Sequence, residues 1–193
     1  MRVMARWQPD ARERLVAAAL DLFNEQGFDD TTVAQISERA GLTKSTFFRH
    51  FPDKRDVLVA GQEAIGRLLA EGIAAAPADA APLSAVCSGL RSAGSAFTPQ
   101  KRERAPKLKA AIATSAELQE RNALKQIGLA AAMAEALRER GVSEQTAVVA
   151  AELGALALKT AYAQWAEPGE TRDLGDLACE ALHELRAAIT ALG

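Results

Sequence analysis

The chain has 193 residues, a formal net charge of −2, and 49% hydrophobic against 25% charged residues. That size and mixture fit one globular domain of ordinary length or two small ones, and exclude a disordered chain. Alanine is the commonest residue and aromatics make up only 5%, which excludes an all-β fold, since alanine favours helices and aromatic and β-branched residues favour strands.

Two cysteines cannot build a disulfide framework, so a reducing compartment is expected. Cys87, among Leu83, Val86 and Leu90, reads as a buried small hydrophobe. No apolar run reaches about 18 residues without a charge, and the N-terminus lacks the apolar stretch of a signal peptide. A cytoplasmic protein with no membrane partner is the expectation. Residues 1–56 are formally neutral, residues 101–109 (KRERAPKLK) are basic, and residues 141–193 are acidic. Any nucleic-acid contact must therefore come from a few placed residues and not from bulk charge.

In chain order, Pro9 opens a first helix, with Asp10 and Glu13 suited to its positive end. Leu15, Val16, Ala19, Leu20 and Phe23 give it one apolar stripe, and Gly27 ends it. Thr32 with Gln35 three positions later is a capping box for a short helix that Gly41 stops. Thr43 caps a second short helix, Lys44 to His50. Phe51-Pro52-Asp53 breaks that helix, because a residue before proline is pushed out of helical geometry.

A long helix is expected from about Lys54 to Ala75. Residues 77–82 (PADAAP) read as a linker. Further helices are expected at about 82–97, 105–113, 116–140, 143–166 and 173–190, punctuated by Pro99, Pro106, Gly141 with Ser143, and Pro168-Gly169.

Residues 31–51 have the spacing of a helix-turn-helix: two short helices, a small residue at the crossing (Ala40), and glycine where φ must be positive (Gly41). Val33, Ile36, Leu42, Phe47 and Phe51 supply the inward apolar set. Lys44, Ser45, Thr46, Arg49 and His50 supply a polar outer face. A capped helical hairpin of purely structural use has the same pattern.

Residues 10–58 resemble the TetR family of transcriptional regulators. The resemblance rests on Leu-Phe-x-x-x-Gly-Phe at the end of the first helix, Thr-Thr-Val-Ala-x-Ile, Ala-Gly-Leu-Thr-Lys, Thr-Phe-Phe-x-His-Phe and Asp-Lys-Arg-Asp-Val-Leu. It implies an all-α fold of about nine helices. A three-helix DNA-binding domain would occupy residues 1–56, and a helical effector-binding and dimerisation domain residues 57–193.

The resemblance also implies roles. Thr32, Thr43, His50 and Lys54 match phosphate contacts. Lys44 and Ser45 are the candidates for base contacts, and Thr46 and Arg49 for either. Phe48 stands where many members have tyrosine, so only apolar contact is left, as with a thymine methyl. Ser45 stands where many have glycine. Arg2 and Arg6 could lie in the minor groove like other basic arms.

The rest of the chain carries no catalytic motif, no cofactor motif and no metal-ligand spacing, so neither an enzyme nor a cofactor is expected. Val149, Leu153, Leu156 and Thr160 form one stripe and Leu174, Leu177, Ala181 and Leu185 another. Under two-fold symmetry the two stripes would make a four-helix homodimer interface, as the resemblance also implies.

Candidate effector-pocket residues are Leu90, Phe97, Ile112, Leu129, Met133, Tyr162 and Trp165. Residues 101–125 weakly resemble a subgroup associated with acyl-CoA-like ligands. The expectation is a homodimeric repressor released from a near-palindromic, double-stranded operator by a small-molecule effector. An activator with the same head, or a helical small-molecule-binding protein or enzyme not acting on DNA, is the alternative.

Overall fold

A computed structural model describes residues 11–57 and 62–192. Pro9, Asp10, Arg2 and Arg6, singled out above, lie outside the described residues. The helices are α1 (Ala11–Gln26), α2 (Val33–Arg39), α3 (Lys44–His50), α4 (Gln62–Ala74), α5 (Pro82–Gly94), α6 (Pro99–Thr114), α7 (Ala116–Glu139), α8 (Glu144–Trp165) and α9 (Leu174–Ala191). Among the described residues there is no strand.

Two departures concern helix boundaries. Asp53 accepts the N–H of Arg55 at 2.9 Å, as a cap should, but the capped residues, Lys54–Val57, are a 3-10 turn in place of the expected α-helix, and the described α-helix is Gln62–Ala74. The helix expected from 105 begins at Pro99 and runs through Pro106. The proline removes one internal hydrogen bond, but Ala105 and Ala111 on either side of it are both buried, and packing holds the helix together.

The chain divides into two compact units. The first holds the described residues up to Val57 together with Lys107–Asn122. Its core is Leu15, Ala19, Phe23, Ile36, Phe47, Phe51 and Val57, joined by Ala111 and Leu118. Residues 107–122 are tied in by Lys107 to Asp21 (2.6 Å), by Asn24 donating to the Lys107 carbonyl (2.9 Å), and by Arg121 to Asp56 (2.8 Å). The two-part division expected from sequence places this segment in the second half. Ile112, expected to line an effector pocket, packs against the core of this first unit instead.

The second unit contains α4, α5, α8 and α9, with the start of α6 and most of α7. Its core includes Leu69, Leu90, Leu129, Met133, Leu158, Trp165, Leu174 and Leu177. α8 is long and apolar enough to cross a membrane by length and composition. In this unit its Ala147, Ala150, Gly154, Ala157, Leu158 and Ala161 side is buried in the core.

α5 and α9 cross closely. A Cβ on Gly94 would stand 2.6 Å from the Gly175 nitrogen, so only glycine fits there. The same pair of helices brings the Cα atoms of Cys87 and Cys179 to 5.2 Å, within disulfide range, and the two are bonded. This corrects the expectation of two reduced thiols. A separation of 92 residues in sequence hides a proximity that only the helix crossing creates.

The stripe on α9 also divides differently. Leu174, Leu177 and Ala181 are 1%, 2% and 7% exposed and are part of their own protomer's core. They lie on the half of α9 that packs on α5 and α8, so they have no surface left for a partner. Leu185 is part-buried, and most residues beyond it are exposed. On α8, Val149, Leu156 and Thr160 are exposed and Leu153 is part-buried.

Candidate nucleic-acid interface

The turn between α2 and α3 depends on four residues. After Arg39, the cap residue Ala40 leads into Gly41, whose φ of 65° is left-handed. Gly41 N–H donates to the Glu38 carbonyl (2.9 Å) and Leu42 N–H to the Ser37 carbonyl (2.8 Å), the paired bonds of a Schellman ending. Arg14 on α1 donates to the Ala40 carbonyl, so the first helix holds the turn in place. Sequence reasoning missed Arg14, because its target is a backbone carbonyl 26 residues away.

Both short helices are capped as their sequences predict. Thr32 Oγ1 accepts the Gln35 N–H at 3.3 Å, and Gln35 Oε1 accepts the Thr32 N–H at 2.8 Å. Thr43 Oγ1 accepts the Thr46 N–H at 3.1 Å. Each such cap contributes about 1 kcal/mol to helices too short to stand alone. Phe47, fully buried, anchors α3 from beneath, with Phe51 at 5.5 Å and Phe48 at 5.6 Å between ring centroids.

Anchoring Phe47 inward turns Lys44, Ser45, Phe48 and Arg49 to solvent. At ~100° per residue these four share one face of about 140°. Phe48 is 56% exposed, an unusual position for a phenylalanine with no partner above it. Lys44 and Arg49 make no ion pair among the described residues, whereas other cations of this unit do. Arg39 meets Glu25 at 2.8 Å and Arg55 meets Asp53 at 3.1 Å. The Arg39 hydrogen bond holds the Glu25 carboxyl below its usual range, and the Arg55 backbone N–H does the same for Asp53. Asp29, Asp30 and Glu38 hold no ion pair among the described residues, and they lie on the α1–α2 loop and α2, not on α3.

The remaining candidates are placed differently. Thr46 is half-buried. His50 is half-buried, and its Nε2 is shielded from solvent without a hydrogen bond, so this atom does not face a phosphate in this conformation. Lys54 Nζ donates to the carbonyls of Phe28 (2.7 Å), Asp29 (3.2 Å) and Thr31 (2.9 Å). An ammonium has three donors, and all three are used inside the protein. Thr32 Oγ1 donates to Gln35 Oε1 at 2.9 Å. Thr43 Oγ1 lies 3.0 Å from Thr46 Oγ1.

In the second unit, Leu90, Leu129, Met133 and Trp165 are in the closed core, and Phe97 and Tyr162 pack at its edge. An open groove of about 540 Å³ lies elsewhere, lined by Pro82, Leu83, Val149, Leu153 and Arg186 among others, and none of the pocket candidates reaches it. The basic run 101–109 is divided between the units: Arg102 donates to the Glu170 and Arg172 carbonyls in the second, and Lys107 meets Asp21 in the first. Among the described residues, no three His, Cys, Asp or Glu side chains converge as a metal would require.

Comparison with known proteins agrees with this geometry. The profile for "Bacterial regulatory proteins, tetR family" matches residues 15–60. The HTH-type transcriptional regulator TcmR of Streptomyces glaucescens is 38% identical over 80 residues, 42% of this chain and 35% of TcmR. The regulator BetI of Cronobacter sakazakii is 38% identical over 68 residues, 35% of this chain and 34% of BetI. The match thus spans about a third of the length of these curated relatives. Among solved structures, the fatty acid degradation regulator FadR from Bacillus halodurans superposes with a TM-score of 0.59 at 17% identity, over 93% of this chain and 96% of that one. That likeness extends the shared all-α fold to nearly the whole chain. Residues 15–60 are thus similar to the tetR family of bacterial regulatory proteins, and the likeness beyond them is one of fold.

Proposed function

We propose that the chain is a DNA-binding transcriptional regulator, a homodimer that reads a near-palindromic operator with its two copies of α3. The observation that carries this reading is the α3 face. Lys44, Ser45, Phe48 and Arg49 point to solvent together on a helix whose opposite side is locked by Phe47, and the two cations pair with no acid among the described residues. A lysine or arginine in the major groove donates to guanine O6 and N7, a serine hydroxyl suits any base edge, and an apolar ring suits a thymine methyl. Two-fold symmetry would place the helices about one DNA turn apart, hence the palindrome.

The protein acts in the cytoplasm, as a binding protein and not as an enzyme, and its second unit takes a small-molecule effector. Repression relieved by that effector is the reading we adopt. The effector acts only by its differential affinity for DNA-competent and DNA-incompetent arrangements. Fluorescence anisotropy on the DNA flanking its own gene, with random DNA as control and a salt titration, tests the proposal. A preference of at least about a thousandfold for one fragment supports it. Equal affinity for every fragment at low ionic strength overturns it.

A further inference from the structure

α5 and α9 run antiparallel, and their contacts fall at successive levels along the pair. At one end is the glycine crossing, where a Cβ on Gly94 would stand 2.8 Å from the Gly175 Cα and one on Gly175 2.8 Å from the Arg91 Cα. Next comes the Cys87–Cys179 bond, its two residues 5% and 2% exposed. Beyond it lies the groove of about 540 Å³, whose walls include Pro82, Leu83 and Ser84 of α5 and Arg186 of α9. Leu83 lies eleven residues from Gly94, and Arg186 eleven from Gly175, about 16 Å along either helix. The bond therefore ties the pair between a tight crossing and an open groove.

α5 is held closely on its other sides. A Cβ on Gly89 would stand 2.7 Å from the Leu69 carbonyl oxygen of α4, and one on Gly154 of α8 2.6 Å from Val86 Cγ1. Leu174, Leu177 and Ala178 root the start of α9 in the core, whereas Leu185 is half-buried and Arg186 to Ala191 are exposed. The far end of α9 is thus the part that can swing about the glycine crossing, and the disulfide is the covalent tie that stops it. In the cytoplasm, where this protein is placed above, such a tie is uncommon, and where it occurs it is usually transient and redox-sensing.

We propose that the Cys87–Cys179 pair is a redox clamp on the groove. Bonded, it holds α9 to α5 and keeps the groove walls in place. Reduced, the sulfurs move apart to van der Waals contact inside a closed core, α9 turns about Gly94 and Gly175, and the groove opens. The oxidant is a low-molecular-mass disulfide. The thiolate of Cys87, the more exposed of the two, attacks one of its sulfurs and releases a first small thiol. The Cys179 thiolate then attacks Cys87 Sγ and releases the second, and the two protein protons leave on these thiols. A small dithiol returns two electrons and two protons and departs as its own disulfide. Val149 and Leu153 form the α8 wall of the groove and belong to the outward stripe of that helix, so the clamp sets the face offered to a second copy. The proposal rests on the reading of the chain as a cytoplasmic, dimeric regulator, and it adds a signal to which that regulator responds.

The full chain, without DNA, is compared after treatment with oxidised glutathione and with dithiothreitol, by hydrogen exchange and by sedimentation. The expected result on reduction is amide exchange at least about tenfold faster in residues 181–188 of α9, while α4 and α8 keep the exchange of the bonded form. The dimer dissociation constant should rise by about tenfold or more. Cys87→Ala with Cys179→Ala should behave as the reduced protein under both treatments. A bond that only stabilises would speed exchange throughout the second unit alike, and that outcome overturns the proposal. So does a bond that dithiothreitol reaches only in unfolded protein, a pair of cysteines that oxidised glutathione never joins, or a dimer of equal strength in both states. A chain that opens on reduction but prefers no DNA in either state overturns the regulator reading and leaves the clamp standing.

Discussion

The ammonium of Lys54 lies 2.7 Å from the carbonyl oxygen of Phe28 and 4.2 Å from the centroid of the same residue's ring. With the Asp29 and Thr31 carbonyls also accepting from it, Lys54 ties the 3-10 turn to the loop between α1 and α2. It therefore positions Thr32 and the start of α2, where the resemblance implies a direct phosphate contact. Lys54→Met should destabilise the first unit by about 2–3 kcal/mol through carbonyls left unpaired. Operator affinity should fall with it, while the slope of log affinity against log salt stays that of the parent. Thermal melts and a salt titration read the two effects separately. A slope reduced by about one unit would put the ammonium on a phosphate.

Lys44 and Arg49 should behave differently from Arg39, although all three cations lie on the two short helices. Arg39 is satisfied by Glu25, and the other two have no acid partner among the described residues. Lys44→Ala should relax base preference at one or two operator positions by ~1–3 kcal/mol each, with little effect on random DNA. Arg49→Ala should lower the salt slope by about one unit if it meets a phosphate. Arg39→Ala should leave both quantities near the parent's. Binding to a panel of single-base operator variants distinguishes the three. Equal losses for Lys44→Ala on specific and random DNA would remove its base-reading role.

How far the sequence reached depends on whether the deciding contact is local. The Thr32–Gln35 box, the Thr43 cap and the positive φ of Gly41 are set by near neighbours in the chain, and the residue types alone specify them. Side-chain periodicity places Phe47 inward and Lys44 outward for the same reason. Lys54 is harder: an exposed lysine and one held by carbonyls more than twenty residues away look alike in sequence. The stripe on α9 shows the limit of periodicity. Leu174 and Leu177 fill their own core while Ile189 faces solvent, although all three lie on one apolar run.

The Cys87–Cys179 bond joins residues 92 positions apart and fastens α5 to α9. Restricting the unfolded chain in this way typically contributes about 2–4 kcal/mol. Reduction should therefore lower the melting temperature of the second unit by about 5–15 °C. Cys179→Ser should lose a comparable amount and become insensitive to reductant. Intact mass after alkylation without reductant provides the check. Labelling of both thiols in native protein purified without reductant would show that the bond is absent.

α8 provides the last test. Val149, Leu153, Leu156 and Thr160 succeed one another at helical spacing, and Val149 and Leu156 are 58% and 45% exposed. The end of α9 likewise leaves Ile189 47% exposed. Exposed aliphatic side chains aligned along a helix remain in water unless a second copy covers them, and a two-fold axis would pair each stripe with its own image. Val149→Glu with Leu156→Glu should leave the monomer's core untouched, since neither side chain is part of it. The pair should shift the sedimenting species from dimer to monomer, because like charges would meet across the axis. Operator affinity should fall steeply with it, because a single α3 reads only half a palindrome. A double variant that still sediments as a dimer would move the interface to another surface.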